Sequence, residues 1–164
     1  HYTNLLGLAY DNEGEIALSG NINIDLLEIL NQLTFYNLSH PKSLGLEWVK
    51  SIVFPLIDSF ELEIKDILST FCEHIAIQIS KEINKKEEAL VLVTGGGVYN
   101  TYLMNRIKFH SHNEIVIPSK KVVEFKEALI FAFLGILKLR NEMNCLKSVT
   151  GASKNHSSGV IYQP

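Results

Sequence analysis

The sequence predicts an α/β domain in which helices pack on a small, partly parallel sheet. Three observations predict it. Residues 89–93 (Ala-Leu-Val-Leu-Val) form a short apolar run rich in β-branched side chains, residues 114–118 (Glu-Ile-Val-Ile-Pro) form a second, and residues 100–108 between them carry a helical pattern. Strand, helix and strand within about 30 residues make a βαβ unit, which implies parallel strands joined by a right-handed crossover.

Taken in order, residues 1–8 read as the end of a helix, and Asp11-Asn12-Glu13-Gly14 is a turn signal. Residues 24–33 carry apolar side chains at positions 26, 27, 30 and 33, one face of a short helix. Residues 39–45 are a polar loop, and residues 48–56 form a further helix that ends near Pro55. The clearest helix spans residues 61–83. Ile64, Ile67, Leu68, Phe71, Cys72, Ile75, Ile79 and Ile83 make one apolar stripe, with Lys65, Asp66, Glu73, Lys81 and Glu82 expected to face away from it. After a solvated connector at 84–88, the first strand reads as buried, in a sheet covered on both faces. Residues 122–139 form a helix that is apolar on nearly every side, the pattern of a helix sandwiched in a core. The remainder is a polar tail ending in Val160-Ile161-Tyr162.

Composition narrows the function classes. With 164 residues, 46% hydrophobic and 20% charged, the chain can bury a core as one domain over 1–164. A formal net charge of −3 gives no broad attraction to nucleic acid or to an anionic membrane. The longest apolar run, 128–137, is about half the roughly 20 residues needed to span a bilayer, so no membrane segment is expected. Cys72 and Cys145 lack partners at zinc-site spacing and read as free thiols, consistent with a cytoplasmic protein. His110 and His112 are two apart, a spacing that does not place two metal ligands on one helix face.

Several features carry possible chemistry. The first strand runs into Gly95-Gly96-Gly97, and Asn100 opens the following helix. Residues without Cβ let a ligand approach the backbone, and a helix N-terminus favours phosphate. A tight βα turn with close helix–strand packing explains the same residues without a ligand. Glu127 precedes the most apolar stretch. It reads either as a first-turn acid favoured by the helix dipole or as a ligand-binding carboxylate at the edge of a cleft. Lys42, beside Ser43, reads either as an exposed loop cation or as a contact for an anionic ligand. Ser148-Val149-Thr150-Gly151-Ala152 suits a tight turn and has no nucleophile-elbow pattern.

Five segments, in order along the chain, resemble one family. These are Tyr10-Asp11-x-x-Gly14 with Ala17 and Gly20; Pro41-Lys42-Ser43-Leu44-Gly45-x-Glu47; and Gly95-Gly96-Gly97-x-x-Asn100-x-x-Leu103-Met104. Glu127-Ala128-x-x-Phe131-Ala132-x-Leu134 follows, and then Asn144-x-x-x-Ser148-Val149-Thr150-Gly151-Ala152 with Gly159-x-Ile161-Tyr162. Together they resemble the carboxy-terminal portion of the anhydro-N-acetylmuramic acid kinases.

The resemblance implies a ribonuclease-H-like, actin-like ATPase fold in which this chain is the C-terminal lobe and the N-terminal lobe is missing. It implies ATP and Mg²⁺ as cofactors. It also implies ring-opening hydrolysis of 1,6-anhydro-N-acetylmuramic acid with phosphorylation at O6, giving N-acetylmuramic acid 6-phosphate in peptidoglycan recycling. Gly95, Gly96, Gly97 and Asn100 would lie by the nucleotide, and Glu127 and Lys42 by the sugar. The family's opening Met-Ser-Gly-Thr-Ser-x-Asp-Gly hairpin, its Phe-Asp-Thr-Gly-Pro-Gly-Asn element and its catalytic aspartate have no counterpart here and are expected upstream of His1. His40 stands where a second proline is common and Leu46 where an arginine is common. The competing reading is a binding module, a homodimer in which the 61–83 stripe buries against a second copy. A further alternative is another actin-like sugar kinase.

Overall fold

The computed structural model describes residues 1–39 and 42–162. These fall into two compact units, His1–Ile117 and Pro118–Pro164. The His40-Pro41 part of the polar loop lies outside the described residues.

The first unit is built around α6 (Ile64–Ile83). Before it come α1 (Tyr2–Leu5), α2 (Glu15–Ser19), α3 (Ile24–Asn31), α4 (Leu46–Trp48) and α5 (Phe54–Asp58). Asn23 caps α3 by accepting a hydrogen bond from the Leu26 amide at 2.9 Å. A π-helical turn, Val49–Val53, joins α4 to α5, and the helix therefore passes through Pro55 instead of ending there. Pro55 occupies the first turn of α5, where a missing N–H costs least. α6 starts at Ile64 and not at residue 61, because Glu61 has φ 50° and Glu63 is extended.

The first half of the α6 apolar stripe is covered inside the chain, while Ile79 further along is 38% exposed. Ile67 joins Tyr2, Leu26, Leu30, Val53 and Ile57 in a buried cluster, with Ile64, Leu68 and Phe71 packed against it. The Ile64 to Phe71 part of the stripe is thus occupied within the chain. Of the residues expected to face away from the stripe, Glu73 is buried while Lys81 and Glu82 are exposed, and Ser69, Thr70, His74 and Ser80 on the same helix are buried too. A periodicity search finds only the apolar face of a helix. α6 is central and packs α2 and α7 on its polar side.

The βαβ unit forms as expected. β1 (Leu90–Leu92) pairs in parallel with β2 (Glu114–Val116), Val91 lying opposite Ile115, and α7 (Thr101–His110) connects them. One face packs on helices: Ala76, Met104 and Ile107 form a second core, against which Val93 and Ile115 lie. The other face is open, with Leu90 73% and Leu92 60% exposed. The expectation of a strand covered on both faces is corrected accordingly, because two strands and the helices on one side supply a single cover.

The second unit contains α8 (Lys120–Leu139) and α9 (Lys147–Thr150). Asn144 ties the tail to α8: its Nδ2 donates to the carbonyls of Leu134 (3.3 Å) and Ser158 (3.1 Å), and its Oδ1 accepts from the Ser158 amide (2.7 Å). An antiparallel bridge joins Cys145 to His156. α8 is not sandwiched. Val123 is its only buried residue among those described, and Phe125, Leu129, Phe131 and Phe133 are all exposed. A unit with one long helix has no second layer to cover it.

Candidate functional site

The site grows from the end of β1. The Val93 amide donates to the Val116 carbonyl at 2.9 Å, tying the end of β1 to β2. Gly95 then takes φ 92° and ψ 171°, a conformation open in practice only to glycine. Gly96–Tyr99 form a 3₁₀ turn, closed by the Val98 amide on the Gly95 carbonyl (3.1 Å) and the Asn100 amide on the Gly97 carbonyl (3.1 Å). Val98 is buried and anchors the turn.

Close packing does not account for these glycines. An added Cβ at Gly95, Gly96 or Gly97 would meet nothing within 4 Å, and neither Gly96 nor Gly97 has positive φ. The tight-turn explanation covers Gly95 and leaves the other two without an internal reason. The helix N-terminus is further along than the sequence suggested. Asn100 is the N-cap of α7, its Oδ1 accepting from the Leu103 amide at 2.9 Å. One free N–H of α7 is therefore already satisfied, and backbone approach to the glycines is what the turn offers a ligand.

The other candidates stand as follows. Lys42 donates to the carbonyls of Phe35 (3.2 Å) and Tyr36 (3.0 Å), and its ammonium lies 5.1 Å from the centre of the Phe35 ring. It lines a cavity of about 510 Å³ with Asn31, Tyr36, Gln78 and Lys81, to which the glycine turn contributes no residue. Glu127 lies about two turns into α8, which starts at Lys120, so the helix-dipole explanation for a first-turn acid is lost. Like the apolar residues around it, Glu127 is exposed. Thr150 and Gly151 have a local role: Thr150 Oγ1 donates to the Leu146 carbonyl (2.9 Å), and Gly151, at φ 72°, ends α9. Cys72 is a half-buried thiol with its pKa pushed up to about 11 by burial, then by Asp11 and Glu73.

Two buried polar networks brace α6. Glu73, 5% exposed, accepts from Arg106 Nε (2.5 Å) and Arg106 Nη2 (2.8 Å), and its Oε1 lies 2.7 Å from His110 Nε2. Burial alone would raise the Glu73 pKa, but the hydrogen bonds and charges of Arg106 and His110 outweigh it and hold it below the usual carboxylate value. His74, 2% exposed, has Tyr36 Oη 2.8 Å from Nε2 and Asn31 Oδ1 2.8 Å from Nδ1. Asn31 Oδ1 also accepts from Gln78 (2.6 Å), so the proton sits on Nδ1 and Tyr36 donates to Nε2. Burial, then Lys81, lowers the His74 pKa to about 4. Neither network was legible in the sequence, because Glu73 meets Arg106 and His110 only when α6 and α7 pack, and His74 meets Asn31 and Tyr36 only when the 31–36 segment packs on α6. Among the described residues no group of three or more His, Cys, Asp or Glu side chains is arranged to hold a metal ion.

The loop before α2 is the third support. Asp11 accepts from the amides of Ile16 (2.9 Å) and Ala17 (3.0 Å), and Ala17 is fully buried. The Asp11, Gly14, Ala17 and Gly20 pattern is therefore a packing device: a Cβ at Gly14 would collide with Asn100 and Tyr102, and one at Gly20 with the backbone of Lys65.

Comparison with known proteins decides the family. The family model described as anhydro-N-acetylmuramic acid kinase matches residues 2–164. The chain belongs to that family. It is 32% identical over 167 residues to the anhydro-N-acetylmuramic acid kinase of Saccharophagus degradans, an alignment covering 96% of this chain and 44% of that protein. It is 33% identical to the Sulfurimonas denitrificans enzyme of that name, covering 96% and 46%, and 33% identical to the Vibrio vulnificus one, covering 93% and 43%. The chain thus spans less than half the length of these curated relatives. Among the described residues no helix is long and apolar enough to cross a membrane.

Proposed function

We propose that the chain is the C-terminal lobe of an ATP-dependent anhydro-N-acetylmuramic acid kinase of ribonuclease-H-like fold, with both compact units belonging to that lobe. The reaction adds water across the 1,6-anhydro bond and transfers the γ-phosphoryl group of ATP to O6, giving N-acetylmuramic acid 6-phosphate and ADP. A cytoplasmic place in peptidoglycan recycling belongs to the same reading. The observation that carries it is the glycine turn, where Gly96 and Gly97 lack side chains although nothing in the chain crowds them.

In this reading the backbone of Gly95, Gly96 and Gly97 approaches the nucleotide, and Asn100, whose Oδ1 is engaged as a cap, presents its side-chain NH₂. Glu127 accepts hydrogen bonds from the sugar. What supports this is a carboxylate set among exposed Phe125, Leu129 and Phe131, a surface too apolar to be left to water in a complete protein. Lys42 borders the sugar side by holding its loop on the Phe35 and Tyr36 carbonyls. Mg²⁺ bound with ATP supplies charge neutralisation on the phosphates, and no residue of this chain is assigned to it. The carboxylate that activates water comes from outside this chain.

Phosphoryl transfer works by positioning and electrostatic stabilisation, so a lobe without its partner does not turn over. The isolated chain is expected to show no kinase activity; turnover matching a complete family member would contradict this. The binding test is a titration with a non-hydrolysable ATP analogue and Mg²⁺, followed by amide resonances. Saturable shifts are expected at residues 95–97 and should vanish in Gly96→Val, while the unfolding free energy changes by less than about 0.5 kcal/mol. The absence of any shift at these residues in the unmodified chain would remove the reading.

A further inference from the structure

We infer that Gly14 is a positioning residue for the glycine turn, setting the side chain of Asn100 and, through it, the backbone of residues 95–97. The nucleotide part of this inference rests on the proposed function; the mechanical part does not.

The observations form one chain of contacts. Gly14 is buried and has φ 78°, in the left-handed region. Its place is fixed from behind: its amide donates to the Asp11 carbonyl (3.3 Å), and the Asp11 carboxylate holds the Ile16 and Ala17 amides. In front, an added Cβ would overlap Asn100 Oδ1 and come within 2.7 Å of Tyr102 Cβ. Neither neighbour can move away freely. Asn100 Oδ1 caps α7 on the Leu103 amide, and Tyr102 Oη lies 3.1 Å from Ser69 Oγ on α6. The Asn100 amide donates in turn to the Gly97 carbonyl at 3.1 Å. Any displacement of Asn100 is therefore delivered one hydrogen bond later to the last glycine of the turn. Interiors this tight transmit strain instead of absorbing it.

The experiment compares Gly14→Ala with Gly20→Ala. Both add a methyl group to a crowded site, but at Gly20 the methyl meets the Lys65 backbone on α6, not α7. In the unliganded chain, Gly14→Ala is expected to shift the amide resonances of residues 95–100 and Gly20→Ala to leave them in place. With the ATP analogue and Mg²⁺, Gly14→Ala is expected to weaken binding by about tenfold or more, as misplacement of a binding group by a fraction of an ångström does, and Gly20→Ala by less than about twofold. Unmoved turn resonances in Gly14→Ala, or equal effects from the two variants, would overturn the inference. If the unmodified chain binds no nucleotide, the kinase reading fails, and the unliganded resonances still decide the coupling. Should Gly14→Ala not fold, Asn100→Ala tests the same link in the unliganded chain: it is expected to shift the amide resonances of residues 95–97, and unmoved resonances there would overturn the inference.

Discussion

Arg106 and Glu73 form a two-point ion pair across the α6–α7 interface, with Nε 2.5 Å from Oε2 and Nη2 2.8 Å from Oε1. Glu73 is buried and Arg106 is a quarter exposed, so the pair is a buried carboxylate held by a cation that reaches in from the edge.

Removing the cation leaves that buried carboxylate only its contact with His110 among the described residues. Arg106→Ala is expected to cost about 3–5 kcal/mol in urea unfolding at neutral pH, the range for breaking one side of a buried pair. A loss below about 1 kcal/mol, the value of a surface pair, would show that the carboxylate is solvated.

The pair also has an acid limit. The Glu73 pKa is depressed in the folded chain, so its contribution is fully present above the unfolded value near 4.5 and is lost as pH falls through the lower folded value. Unfolding midpoints of the parent and Glu73→Gln chains should converge as pH drops below that window. Parallel curves would exclude the linkage.

His74 acts in a separate and higher window. Its pKa falls from 6.5 to about 4 on folding, so the unfolded chain binds the extra proton between those values. Stability should decline by about 3 kcal/mol as pH drops from 6.5 to 4, and His74→Gln should remove most of that slope. A flat profile above pH 5 would contradict the buried neutral ring.

Lys42 bridges two carbonyls and touches the Phe35 ring. Lys42→Ala is expected to cost about 1.5–3 kcal/mol, the net value of one hydrogen bond to a charged group, because the partly exposed ammonium can exchange the other for water. Lys42→Arg should recover part of it; an unmoved urea midpoint in Lys42→Ala would mean that the loop holds itself.

The uncovered helix gives the opposite sign of expectation. Phe131 is 71% exposed and Leu129 66%. Replacing either by Lys should leave the unfolding free energy of this chain within about 0.5 kcal/mol and should reduce self-association. A loss of several kcal/mol would mean that the face is buried in solution.

Local pattern by itself indicated helices at residues 61–83 and 100–108, which form at 64–83 and 101–110, the parallel pairing of the two short strands that form at 90–92 and 114–116, and the glycine turn between strand and helix. Periodicity and β-branching act over neighbouring residues, and the five family segments could be read one at a time. Tertiary structure decided the rest. Glu73 looks like a solvent-facing position until α7 closes over it, and the partners of His74 appear only when the 31–36 segment packs on α6. Gly14 looks like an ordinary turn residue until Asn100 arrives, some 86 positions later, in the space its missing side chain leaves. Residues 122–139 carry the pattern of a buried helix, yet a single chain segment cannot supply both its own apolar surface and the layers that cover it. Apolar spacing encodes how much surface must be hidden; which partner hides it, and which polar groups are drawn in with it, depends on contacts between residues far apart in sequence.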